Sequence, residues 1–350
     1  MPGKHASGGA RTFALRAYRL AVIVAVAWLV RDTAEAFAAY GAVVHERLGD
    51  RVGLWASHNE PWCAAYLGYA AGVHAPGRRE GGEAHLAAHH LMVGHGLLRQ
   101  ALGEVEGLGI VLNLAPVWPE PGAERVGDAV DAIRNRVWLD PLVDGAYDER
   151  LLEAAPVLAD PARVRDDDLA MIRGSADWLG INYYTPVRPA LPDAVADDHP
   201  EGAAYPGAGE VAFAVREPRT DIGWEIDASG LEELLLTTHE RTGLPIVVTE
   251  NGAACADAAV VDGVVEDEDR IDYLRDHLAA TERAREQGAD VRGYFVWTLM
   301  DNFEWAEGYT KTFGLVHVDR SHADLPRTPK ASYHWVAAEA RRRDASFRST

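Results

Sequence analysis

Short apolar runs and amphipathic stretches alternate along most of the chain. Residues 20–26 (LAVIVAV), 52–57, 109–114, 177–184, 246–250 and 291–298 are brief and rich in β-branched and aromatic side chains, the pattern of strands. Residues 294–297 (YFVW) are apolar without a break, as in a strand buried on both faces. The stretches between carry helical spacing. Phe37, Tyr40, Val44 and Leu48 form an apolar stripe on a helix opened by Asp32, with Glu35 three residues on in a capping-box-like spacing. Further helices are expected over 83–105, 230–242, 269–287 and 329–343, with short ones within 125–143. Residues 190–220 are rich in Pro, Gly, Asp and Ala and read as a long irregular excursion.

Strands alternating with helices predict parallel strands joined by helical crossovers. The acidic residues that end several strands point to a (β/α)8 TIM-barrel type, which gathers its chemistry at the C-terminal ends of its strands. A doubly wound sheet would show a Gly-rich first turn, and none is present. From Val52 onward five strands are legible, with a sixth at 20–26, where a closed barrel needs eight. The barrel is therefore expected to be incomplete at its N-terminus. No composition break marks a second domain, so residues 28–350 are expected to form a single one.

Composition narrows the function. A chain of 350 residues with 48% hydrophobic content can bury a large core. A formal charge of −20 argues against nucleic acid and against anionic membrane surfaces. Lys4, Arg11, Arg16 and Arg19 precede an apolar run over 20–30, as in a secretory signal. No small-residue cleavage site follows directly, and the run is too short to span a bilayer. A cytoplasmic location is expected. Cys63 and Cys255 make no disulfide framework and read as small buried residues in a reducing compartment. His85 and His89 share the i, i+4 spacing of a helical metal pair, but no H-E-x-x-H follows, and packed histidines are expected instead.

The candidate chemistry lies in three stretches. Residues 57–62 (SHNEPW) and 246–252 (IVVTENG) each run a strand into a glutamate and a turn. Residues 293–309 set Trp297, Asp301, Phe303, Glu304, Trp305 and Tyr309 close together. Aromatic faces beside carboxylates suit a sugar, whose C–H face stacks on a ring while its hydroxyls donate to carboxylate oxygens. N-E-P, T-E-N-G and W-x-L-x-D-N-F-E-W, in that order, with residues 176–184 (ADWLGINYY), resemble glycoside hydrolase family 1, the β-glucosidase family, from about Trp28 to the C-terminus. The resemblance implies a retaining β-glycosidase acting on terminal non-reducing β-D-glucosides. It implies Glu60 as general acid/base and Glu250 as nucleophile, with carboxyl groups about 5–5.5 Å apart. The acid needs a neighbourhood that keeps it protonated, which Trp62 and the strand core could supply. By the same resemblance Asn59 holds the 2-hydroxyl, Tyr184 donates to the nucleophile, and Asn182 belongs to the sugar site. Trp297 stacks beneath the sugar, Glu304 and Trp305 hold the 3-, 4- and 6-hydroxyls, Phe313 closes the far wall, and Trp224 lies on the aglycone side. The partner is a small β-glucoside or oligosaccharide; no metal or cofactor is implied, and a homo-oligomer is left open.

Residues 1–27 match nothing in that family. Its early strands carry a glutamine for the 3- and 4-hydroxyls, an arginine that pairs with the nucleophile and a His-Trp pair, none of which has a counterpart before Trp28. The abrupt change leads to the expectation that residues 1–27 are foreign sequence, from a frameshift or misplaced start. Besides a working β-glycosidase, the readings are a catalytically impaired remnant and a sugar-binding pseudoenzyme. The presence of both Glu60 and Glu250 speaks against a protein selected only to bind.

Overall fold

In the computed structural model, residues 28–194, 200–257 and 260–347 are described. The strand expected at 20–26 lies outside them. The chain divides into two compact units interleaved in sequence.

Of the described residues, the first unit takes 28–110, 128–177 and 200–210. It contains helix α1 (Asp32–Leu48), strand β1 (Trp55–Asn59), helix α2 (Ala84–Leu102) and the start of β2 (Leu108–Leu112). The short helices α4 (Val137–Val143), α5 (Glu149–Ala154) and α6 (Asp166–Ile172) follow, while α3 (Glu124–Asp131) crosses the boundary between the units. Strand β1 neighbours β2, and the Trp55 N–H donates to the Gly107 carbonyl (2.8 Å). Helix α2 is apolar nearly all round and buried along most of its length. Ala38 of α1, Leu98 of α2 and Leu108 of β2 pack together with Phe37 and Trp55 at their margin.

Helix α1 begins where the sequence predicts, but without the capping box. Arg31 is the N-cap, no side chain caps it, and Arg31 reaches Glu35 (3.7 Å) and Asp168 (2.6 Å). Asp32 and Glu35 lie in the first turn, where their charge suits the helix dipole. His85 and His89 are fully buried and point to separate partners. His85 meets the Tyr66 hydroxyl and the Pro206 carbonyl (both 2.9 Å), and His89 meets the Tyr147 hydroxyl (2.9 Å) and Asp168 (3.1 Å). They are packed histidines, as expected.

Of the described residues, the second unit takes 111–127, 178–194, 211–257 and 260–347. Its sheet runs from the end of β2 through β3 (Trp178–Asn182) and β6 (Ile246–Asn251) to β7 (Val291–Val296), with β3–β6 and β6–β7 parallel. Val111, Trp178 and Val247 pack on one side of it. Helix α7 (Ala228–Thr242) leads into β6; its N-cap Asp227 accepts from the Ser229 N–H (2.9 Å), and Gly243 ends it at φ 65°. Helix α8 (Glu268–Glu286) crosses from β6 to β7, and α9 (Ala331–Phe347) closes the chain. Two small antiparallel pairs lie apart from the sheet: β4 (Arg188–Ala190) with β5 (Ala212–Ala214), and β8 (Val316–Val318) with β9 (Arg327–Pro329). The first of these gives order to part of the excursion expected to be irregular.

Strand β7 departs from expectation. Of its residues only Val291 is buried, and Phe295 is 61% exposed. Among the described residues its one neighbour is β6, so there it is an edge strand, with no second strand to cover it.

Candidate active site

In the first unit, β1 ends at the exposed Asn59, and the chain turns at Glu60. Glu60 sits at φ 48°, a left-handed conformation that costs a non-glycine residue energy and recurs at functional sites. The turn is closed by the Cys63 N–H donating to the Glu60 carbonyl (2.9 Å). The Cys63 thiol also donates to Glu60 Oε2 (3.1 Å). Cys63 opens a π-helical stretch, Cys63–Ala70. Trp62 is buried, but it packs on Tyr66 and Tyr205 with the Arg134 guanidinium 4.2 Å over its ring. Burial lowers the pKa of His74, and attraction to Glu60 partly offsets that. Neither the Cys63 thiol contact nor the nearness of His74 is legible in the sequence.

In the second unit, Glu250 is the next-to-last residue of β6, and the Tyr184 hydroxyl donates to its Oε2 (2.7 Å). The donor expected from the sequence is therefore in place. Asn182 is buried, and its Oδ1 accepts from the Thr249 hydroxyl (2.6 Å), fixing which way the amide faces. Tyr184, Trp224 and Phe313 form a ring cluster, with centroids 5.3 Å (Tyr184–Trp224), 6.2 Å (Tyr184–Phe313) and 6.1 Å (Trp224–Phe313) apart. Trp297 follows β7 with its N–H donating to the Asn251 carbonyl (3.0 Å).

Glu304 and Trp305 are adjacent but part company. Glu304 is buried and accepts from Asn302 Nδ2 (2.9 Å), whereas Trp305 is 67% exposed at φ 43°. The loop that carries them is anchored through Asp301, which accepts from the Gly314 N–H (3.0 Å), the Val318 N–H (3.2 Å) and the buried Lys330 Nζ (3.0 Å). Gly314 has no alternative there, because a Cβ would lie 2.2 Å from the Asp301 nitrogen.

Cys63 and Cys255 are half-buried rather than buried, and both are free thiols. Burial pushes the Cys255 thiol up to about 11, opposed by Arg270. Among the described residues, one group has the makings of a cation site: Asp257, Asp301 and His317, with ligand atoms within 4.8 Å of one another. The Lys330 ammonium already joins Asp257 and Asp301, so this donor set reads as a buried ion network.

The family model for glycosyl hydrolase family 1 matches residues 24–344. The chain belongs to that family, a glycoside hydrolase of the (β/α)8 TIM-barrel class. The match starts upstream of Trp28, so the family's sequence reaches slightly into the segment expected to be foreign. A bifunctional β-D-glucosidase/β-D-fucosidase of Bifidobacterium breve is 44% identical over 88% of this chain and 68% of its own length. A β-glucosidase of an Agrobacterium species is 42% identical over 89% of this chain and 67% of its own. The crystal structure of a psychrophilic β-glucosidase from Micrococcus antarcticus superposes with a TM-score of 0.82 at 40% identity, over 89% of this chain and 70% of that one. The chain thus spans about two-thirds of the length of these relatives.

Proposed function

We propose that the chain is a retaining β-glycosidase that hydrolyses terminal non-reducing β-D-glucosides, with Glu250 as nucleophile and Glu60 as general acid/base. The observation that carries the reading is the Tyr184 hydroxyl donating to Glu250 Oε2 at 2.7 Å, at the end of β6 in a family 1 chain. An O–H donor on one oxygen holds the carboxylate in a fixed orientation, as a nucleophile needs.

In the first step Glu60, protonated, gives its proton to the glycosidic oxygen as Glu250 attacks the anomeric carbon from the opposite face. The aglycone leaves as an alcohol, and an α-linked glycosyl ester forms on Glu250. In the second step Glu60, now a carboxylate, takes a proton from water. The water oxygen bonds to the anomeric carbon, the ester bond breaks, and β-glucose is released. In this reading Asn59 and Asn182 hold the sugar beside the two carboxyls. Trp297, Glu304 and Trp305 bind its ring and outer hydroxyls, and Trp224 and Phe313 form an aromatic wall with Tyr184. No metal or cofactor takes part, and the enzyme works in the cytoplasm. Among the described residues no helix is long and apolar enough to cross a membrane. Proton NMR of an aryl β-glucoside during turnover tests the mechanism: β-glucose is expected first, and α-glucose first would overturn it.

A further inference from the structure

We infer that a buried asparagine–tyrosine network, Asn251 with Tyr273 and Tyr294, positions the nucleophile; this rests on the reading of Glu250 just given.

The starting point is an irregularity in the sheet. Along β3, Ile181 and Asn182 are successive, while their partners on β6 are Val248 and Glu250. Along β7, Tyr294 and Val296 are two apart, while their partners Val248 and Asn251 are three apart. Both neighbours therefore see one extra residue on β6, between Val248 and Asn251. A bulge of this kind re-aims the side chains that follow it, and Glu250 lies within it. A strand in regular alternation would send Glu250 elsewhere.

Something must hold the bulge, because an extra residue breaks the ladder. Asn251 is fully buried, and both its amide hydrogens and its amide oxygen are engaged. Its Nδ2 donates to the Tyr183 carbonyl just past β3 (2.7 Å) and to the Tyr273 hydroxyl on α8 (3.0 Å). Its Oδ1 accepts from the Tyr294 hydroxyl on β7. One side chain thus ties the bulge to both flanking strands and to the helix behind them. The main chain agrees: the Tyr183 N–H donates to the Glu250 carbonyl (3.0 Å). Tyr273 is held in turn by stacking on His277, with centroids 3.8 Å apart and planes 19° apart. Gly252 follows, where a Cβ would lie 1.9 Å from the Trp297 carbonyl oxygen, so no larger residue fits there. Glu250 is therefore gripped at its carboxylate by Tyr184 and at its backbone by the Asn251 network. The three network residues touch no substrate in this reading; they are positioning residues.

The test compares Tyr294→Phe in the natural chain and in a Glu250→Ala background, using an activated aryl β-glucoside. Azide replaces the missing carboxylate in the Glu250→Ala chain, attacks the anomeric carbon directly and yields an α-glucosyl azide. In the natural chain Tyr294→Phe is expected to lower kcat/KM about tenfold, mainly through kcat, because a displaced nucleophile slows the bond-forming step. In the Glu250→Ala background the azide-driven rate should be unchanged within about twofold, since azide does not depend on where β6 points. Equal losses in both backgrounds, or no loss in the natural chain, would overturn the inference. A natural chain without turnover, or a Glu250→Ala chain that keeps its activity without azide, would instead remove the nucleophile reading and this inference with it. Tyr273→Phe, which deletes the other hydroxyl, carries the same expectations should Tyr294→Phe fail to fold.

Discussion

Glu250 and Tyr184 are 66 positions apart, yet they meet at 2.7 Å. Each could be read from the sequence because each ends a recognisable strand. A Tyr184→Phe change removes one hydrogen bond to a charged group, worth about 1.5–3 kcal/mol. If that bond matters most in the transition state, kcat/KM for an aryl β-glucoside should fall roughly 10- to 100-fold while the thermal midpoint barely moves. Steady-state kinetics with a melting curve checks both halves. What the sequence could not reveal at this scale is contact without pattern. The Cys63 thiol on Glu60 and the Asn251 clamp depend on a turn at φ 48° and on hydroxyls 22 and 43 positions away. The partners of the Trp62 ring, Tyr66, Tyr205 and Arg134, are likewise set by the fold and not by spacing.

Elements were more legible than their ends. Strands β1, β2, β3, β6 and β7 all fall where apolar runs predict them, because a short β-branched run bounded by turns has few other uses. Burial on β7 was misjudged because YFVW carries no sign of which strand is an edge; that depends on what pairs beside it. The capping box of α1 failed for a local reason: Arg31 takes the N-cap position and spends its guanidinium on Glu35 and Asp168. The β6–β7 exit gives the sharpest prediction for an element. Gly252→Ala would drive a methyl against the Trp297 carbonyl oxygen, 1.9 Å away. Neither backbone can yield without breaking the bonds of Asn251, so a loss of about 3 kcal/mol is expected, measured by denaturant unfolding.

Across the whole molecule, acid sensitivity follows from buried imidazoles. Burial lowers His58, His85, His90 and His277 to about 4, with hydrogen bonds to backbone carbonyls partly offsetting it. Burial lowers His95 to about 3, reinforced by His58 and Arg99. These rings stay neutral in the folded chain while the unfolded chain protonates them below about 6.5. Depressed histidine values therefore leave stability intact above pH 6.5 and erode it as pH falls from 6.5 toward 4. Each ring costs up to about 1.4 kcal/mol per pH unit in that window. Denaturant melts at pH 7, 6, 5 and 4 should show a progressive fall; a flat profile would mean the rings are not buried as described. The family class was legible from motifs that lie at or just beyond the ends of β1, β3, β6 and β7.

As the proposed nucleophile, Glu250 is expected to form a covalent glycosyl ester. Intact mass after incubation with a 2-deoxy-2-fluoro β-glucoside bearing a good leaving group tests it most directly. The fluorine slows the second step more than the first, so the glycosyl ester accumulates. A stoichiometric mass increase of one fluorosugar, mapped by peptide digestion to Glu250, is the result expected. No adduct on protein shown to be folded by a cooperative melt, or an adduct on another residue, would contradict it.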